Sequence, residues 1–407
     1  MNLDKKRWLI LALSCLTNLC IGSVYAWSVF ASPMAMHLSE INGSEITSLA
    51  IIFTIANSVG PITMITGGMM TDKIGPRGVI VIGGLLFGAG MIFSGFAISI
   101  PMLMITYGLG VGLGSAMVYG CSVSNSVKWF PDKKGFAGGI TTASYGISSV
   151  MIPIVANQLI SNYGITMTFK ILGIVMMLII GGCALVIDKC PSGYKPVNYI
   201  EVQTEKQNNV EEKNWKQMIA DQRFLIMLAM LCCGAFSGLM ITSQASIIAQ
   251  RMMGMTVVHA ALIVSILALF NTGGRICAGI LSDKIGAIKT ISLVFIVLMV
   301  GQTCLLLSNM NRIPVFCVGI MLIGFCFGSI MGIYPGFTAS QFGSKNNGVN
   351  YGIMFIGFAL AGFFGPTIMA EIYEKTNVYS IAFLVAIALG FIGFLLSVLF
   401  MKMLKNK

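Results

Sequence analysis

The chain has 407 residues, 56% of them hydrophobic and only 10% charged, with a formal net charge of +11. Soluble domains carry about 25% charged residues, and a globule this poor in charge, with a mean hydropathy of +0.88, could not clothe itself in water. Soluble enzymes, disordered regulators and disulfide scaffolds are disfavoured, and a polytopic membrane protein is indicated.

A bilayer core is crossed by about 20 apolar residues per helix. Twelve such runs follow one another, at roughly 8–31, 47–70, 78–98, 102–127, 135–160, 166–187, 224–249, 257–281, 290–309, 313–340, 349–370 and 378–401. The first, from Trp8 to about Phe30, is too long for the core of a cleaved signal peptide. Many of the 47 glycines sit inside these runs, as suits membrane helices whose backbones approach closely. The 11 cysteines are scattered, mostly within apolar runs, with no CxxC pair, and read as buried free thiols. One long polar stretch, Asp188 to Gln222, contains the Glu-, Gln-, Asn- and Lys-rich run from Tyr199 to Lys216. It divides the chain into a first six-helix bundle (1–187), a cytoplasmic linker (188–222) and a second six-helix bundle (223–407).

Charge placement sets the orientation. With the N-terminus inside, 20 of the 25 Lys and Arg fall on the inner face and four outside, at Lys170, Arg251, Arg312 and Lys375. The positive-inside rule then puts both termini in the cytoplasm of a multi-pass protein of the cell (inner or plasma) membrane. The basic balance reflects topology and anionic inner-leaflet lipid, with no nucleic-acid partner.

The two halves share a motif. Gly68-Met-Met-Thr-Asp72-Lys-Ile-Gly75-Pro-Arg77 ends the second span, and Gly279-Ile-Leu-Ser-Asp283-Lys-Ile-Gly286-Ala-Ile-Lys289 ends the eighth, each matched position 211 residues from its partner. Duplication of a six-helix unit follows, giving an all-α membrane protein of twelve helices in two bundles with pseudo-two-fold symmetry and a central cavity, where substrate would sit near the midplane.

The GxxxDxxGxR turn resembles the loop signature of the major facilitator superfamily. That resemblance implies that Asp72, Arg77 and Asp283 help to latch a cytoplasmic gate; a solvated turn with a helix cap is the plainer alternative. Two more stretches are similar to the oxalate/formate antiporter branch, which is related to monocarboxylate carriers. They are Gly22-Ser-Val-Tyr25-Ala-Trp27-Ser-Val-Phe30 in span one and Lys128-Trp-Phe-Pro131-Asp132-Lys-Lys-Gly135 before span five.

One charge lies deep within a span. All 14 acids fall in loops or at span ends, while Arg275 lies six residues inside the expected end of span eight at Leu281. An ionised side chain near the bilayer centre costs at least about 2.5–3.5 kcal/mol. No acidic side chain at that depth can balance it, so an anionic substrate is the simplest partner, since a guanidinium fork matches a carboxylate. Snorkelling to headgroups, or bonding to helix carbonyls, competes with this reading. Asn271, four residues earlier, shares its face. Monocarboxylate carriers often have an aspartate at the corresponding place, so the amide removes an obvious proton carrier; helix–helix hydrogen bonding is its other reading.

In the fold that the resemblance implies, Tyr25, Tyr119, Tyr145 and Tyr334 lie on spans facing the cavity, where a phenol can donate to a carboxylate. Each alone is as readily a core or interfacial residue. Tyr25 and Tyr334 match aromatic positions that line the oxalate site in this family. The family's oxalate exchangers resemble this chain but carry a lysine in span eleven, where alignment puts Phe358. One cation balances one carboxylate, and a second anionic group would be left unpaired.

The expected function is secondary active transport of a small monocarboxylate of the lactate, pyruvate or formate class by alternating access, as exchanger or proton symporter. A dicarboxylate exchanger of the oxalate/formate type and an exporter of a neutral or drug-like compound are the alternatives. A membrane enzyme is disfavoured for want of clustered catalytic groups. No cofactor or metal is expected; the partners are a small carboxylate and the lipid bilayer, with protons left open, and the unit is a monomer. His37 lies in the expected first outer loop. His259, about 24 Å along the helix from Arg275, is a poor direct proton relay, though its titration range suits a pH-sensitive outer gate; a plain surface residue is its other reading.

Overall fold

The computed structural model describes residues 3–46, 48–196 and 211–405. Most of the polar run expected at 199–216 therefore lies outside the described residues, as do Lys206 and Lys407. The described residues are helical wherever they form regular structure. The apolar stretches are Leu3–Asn42, Ala50–Ile74, Pro76–Ser94, Ile100–Trp129, Lys134–Val186, Gln222–Met253, Val258–Ile285, Ala287–Leu307, Ile313–Phe342, Asn347–Thr376 and Ser380–Lys405.

The fifth stretch holds two of the expected spans. Its 53 residues would reach about 80 Å as one helix, far more than the ~30 Å of a bilayer core. Gly164 breaks it, with φ 76° and ψ 168°, a conformation that L side chains rarely adopt. Spans five and six thus meet at a single residue rather than across the expected loop at 161–165. Twelve crossings result among the described residues, and they are numbered one to twelve in chain order.

Span one runs past its expected end at residue 31 to Asn42, through a tighter 3₁₀ turn at Gly22–Ala26. Phe30, Met34 and Leu38, at i, i+4 and i+8, are all 0% exposed, so the core-facing stripe outlasts the apolar run. Gly43, at φ 63°, ends it. His37 and Glu40, expected in the first outer loop, are accordingly helical.

The chain forms two compact units whose limits differ from the expected 1–187 and 223–407. The first comprises Met1–Asp132, Ser144–Glu212 and Gly343–Ile353; the second comprises Lys133–Ala143, Lys213–Phe342 and Met354–Lys407. The start of span five therefore packs with the later spans, and the start of span eleven with the earlier ones. Small residues cause this. A Cβ on Gly135 or Gly139 would strike the carbonyls of Gly279 and Arg275 in span eight, and one on Gly348 would strike the backbone of Gly68 in span two. Backbones that touch in this way pack without side-chain entropy loss.

Candidate functional site

In the second unit, span eight lies against span ten along a seam of glycines. Cβ atoms on Gly324, Gly328 and Gly332 would meet the carbonyls of Leu267, Asn271 and Arg275, three residues at four-residue spacing on each helix. The seam fixes the backbone that carries Asn271 and Arg275.

Arg275 is 4% exposed and Asn271 8%. The guanidinium donates from Nε to Asn271 Oδ1 at 3.0 Å and from Nη1 to the Thr142 carbonyl at 2.6 Å. It is neither turned outward nor neutralised: among the described residues no carboxylate pairs with it. Two neutral dipoles hold it, one from its own helix and one from the start of span five, so bonding to carbonyls, one of the readings weighed from sequence, is part of its setting. Such dipoles meet hydrogen-bonding demand and leave the positive charge in place.

In the first unit, three of the predicted tyrosines come together. Tyr145 lies edge-on to Tyr25 at 5.1 Å and 80° and to Tyr119 at 5.1 Å and 66°. Its hydroxyl is 3.4 Å from Ser115 Oγ, which also reaches the Ile21 carbonyl at 3.3 Å. Tyr334, in the second unit, is 1% exposed, donates to the Met227 carbonyl at 2.9 Å and packs edge-on against Phe337. In this structure its proton is therefore committed to the protein. Phe358 stacks on Phe355 at 4.5 Å and on Phe327 at 6.4 Å. Sequence reading passed over both. Phe355 could have been found at i−3 on the same helix face; Phe327 needs the fold.

The residues expected at the gate divide. Asp72 accepts from Lys128 Nζ at 2.6 Å and from the Gly348 and Val349 amides at 3.3 and 3.1 Å. Asp283 accepts from the Gly135 and Phe136 amides, each at 2.7 Å. Both carboxylates thus cap the first turn of a helix, where amide protons lack partners and the helix dipole favours negative charge. Arg77 instead pairs with Asp188 at 2.8 Å. Two further residues join them that no sequence motif singles out. Lys128, which opens the Lys128–Gly135 stretch, is one. Glu212 accepts from the Ser344 and Lys345 amides at 3.2 and 2.8 Å, and the Lys345 carbonyl accepts from Lys128 at 3.1 Å. Beyond it, burial raises the Asp221 carboxyl, but bonds from Arg223 and Lys213 outweigh that and hold it well below the usual carboxylate range.

A cleft of about 820 Å³ opens in the first unit beside Trp27, Ser32, Ser39, Glu40, Glu45 and Phe53. The predicted binding residues are not among those lining it.

Twelve apolar crossings, a motif used twice and a cation kept inside one span define a multi-pass membrane transporter. The profile of the Major Facilitator Superfamily matches residues 15–366 and again 278–406. The chain is 29% identical over 361 residues to the uncharacterized MFS-type transporter YhjX of Escherichia coli, covering 88% of this chain and 86% of that one. It is 30% identical over 396 residues to the oxalate:formate antiporter of Oxalobacter formigenes, covering 96% and 90%. With monocarboxylate transporter 12-B of Danio rerio the identity is 24%, over 92% and 83%. Its fold matches the crystal structure of the transporter FucP with a TM-score of 0.74 at 13% identity, over 97% and 99%. The chain belongs to the Major Facilitator Superfamily, in the branch of the oxalate:formate antiporter and the related monocarboxylate carriers.

Proposed function

We propose that the protein carries a small organic monocarboxylate of the lactate, pyruvate or formate class across the membrane by alternating access, with Arg275 as its anion site. The observation that carries this is the setting of Arg275: buried at 4% exposure, bonded to neutral acceptors, and, among the described residues, without a carboxylate. A charge so placed is costly unless a counter-ion arrives. Asn271 orients the fork, and within the first unit the hydroxyls of Tyr25, Tyr119 and Tyr145 are further candidates for contact with the carboxylate. Phe358, where the oxalate exchangers carry lysine, favours one negative charge over two. Asp72 and Asp283, capping helix starts, act as the latches of a cytoplasmic gate, with both termini on that side of the cell membrane. A bare guanidinium opposes movement of an empty carrier and so favours exchange.

The name of one relative supports a second reading, exchange of oxalate for formate. Uptake of labelled lactate, formate and oxalate into proteoliposomes, each with and without internal anion, separates the two. Arg275→Gln should abolish uptake of any of them while the protein still inserts. Normal transport by that variant would remove the anion-site assignment.

A further inference from the structure

We infer that Arg275 also fastens the start of span five, and that an arriving carboxylate unfastens it. This rests on the anion-site reading above.

Residues Lys133–Ala143 pack with the second unit, whereas Ser144 onward pack with the first. Polar ties hold this short segment within the second unit near both of its ends. Asp283 takes the amides of Gly135 and Phe136 at 2.7 Å, near its beginning. Arg275 Nη1 takes the carbonyl of Thr142 at 2.6 Å, one residue before the chain leaves the unit. Between the ties, Gly138 and Gly139 rest against the backbones of spans ten and eight.

A guanidinium offers two forks, Nε with Nη2 and Nη1 with Nη2, and each has one member engaged here. Asn271 sits on Nε from the same helix, one turn away, and can stay there. The Thr142 carbonyl sits on Nη1 from a separate segment. A carboxylate taking the Nη1–Nη2 fork competes with that carbonyl, and a charged acceptor bonds about twice as strongly as a neutral one. Binding therefore loosens the far tie and leaves the segment held by Asp283. The residue 211 positions before Arg275 is Met64, whose thioether has no donor to offer, so the repeat does not reproduce the Arg275 tie at that position.

Hydrogen exchange of the purified protein, read by mass spectrometry, tests this. Arg275→Met, which copies Met64, should speed exchange across 134–143 about tenfold or more, the loss of one hydrogen bond to a charged group. Exchange across 343–353 should stay within about twofold. Arg275→Lys, which keeps the cation and one donor, should fall between and serves if the methionine variant does not fold. Wild-type exchange at 134–143 in either variant overturns the inference. The wild type is then screened with formate, lactate and oxalate. An anion that raises the melting temperature should also speed exchange at 134–143. A raised melting temperature with unchanged exchange sinks this inference alone. No rise with any of the three removes the anion-site reading, and this inference with it.

Discussion

Asp72 and Asp283 stand 211 residues apart and perform the same act: each carboxylate closes the amides that open a helix, Gly348 and Val349 for one, Gly135 and Phe136 for the other. The repeated motif is thus a repeated bond pattern. Asp72 also binds Lys128, with side-chain exposures of 8% and 12%. Breaking such a shielded pair from one side costs roughly 3–5 kcal/mol. Asp72→Asn and Lys128→Met should each destabilise, and the double variant should lose less than their sum by about 1–3 kcal/mol. Thermal unfolding of the four proteins in detergent checks this; strict additivity would mean that the pair does not act as a unit.

Asn271 gives a prediction about coupling. Its Oδ1 accepts from Arg275 Nε at 3.0 Å. In Asn271→Asp that acceptor becomes a carboxylate, which supplies the counter-charge from within. Anion uptake should drop at neutral pH and recover as the pH falls and the carboxyl takes up a proton. Uptake of labelled lactate and formate measured against pH, for variant and wild type, reads the effect. An unaltered pH profile would contradict the role given to the bare cation.

Phe358 tests the count of charges. It is half-buried and stacked on Phe355 and Phe327, so a lysine stem can follow the same apolar path. Phe358→Lys should raise the ratio of oxalate to formate uptake by about tenfold, the worth of one modest ion pair. A ratio that does not move counts against the alignment of this position with the family's lysine.

Gly328 tests the seam. A Cβ there would collide with the Asn271 carbonyl, a backbone atom that cannot swing away. Gly328→Ala should cost about 1–3 kcal/mol and lower transport, because it displaces the helix that carries Asn271 and Arg275. Gly181→Ala is the control, since nothing lies within 4 Å of its added methyl. Melting temperature and uptake should both fall for the first and stay level for the second.

Much of the fold is legible in the sequence because it is written in hydropathy. Twelve apolar runs and two GxxxDKIG turns give the crossings and the duplication, and the lack of any acid within those twelve runs isolates Arg275. What is hidden depends on the backbone. The Thr142 carbonyl that holds Arg275 and the Met227 carbonyl that takes the Tyr334 proton are atoms that every residue has, so no residue letter marks them. The segments 133–143 and 343–353 look from their order like ordinary starts of spans five and eleven. Only the glycine contacts with distant helices show which unit each one joins. The run-on of spans five and six at Gly164 is likewise a matter of one dihedral angle.

The glycine row in span ten has a consequence for how this carrier can change over evolution and during its cycle. Main chain pressed on main chain has no rotamers to rearrange, so spans eight and ten must travel as a single rigid piece. Their side chains can repack around a different cargo while the main chain stays put, which leaves the cation of Arg275 on a fixed mount.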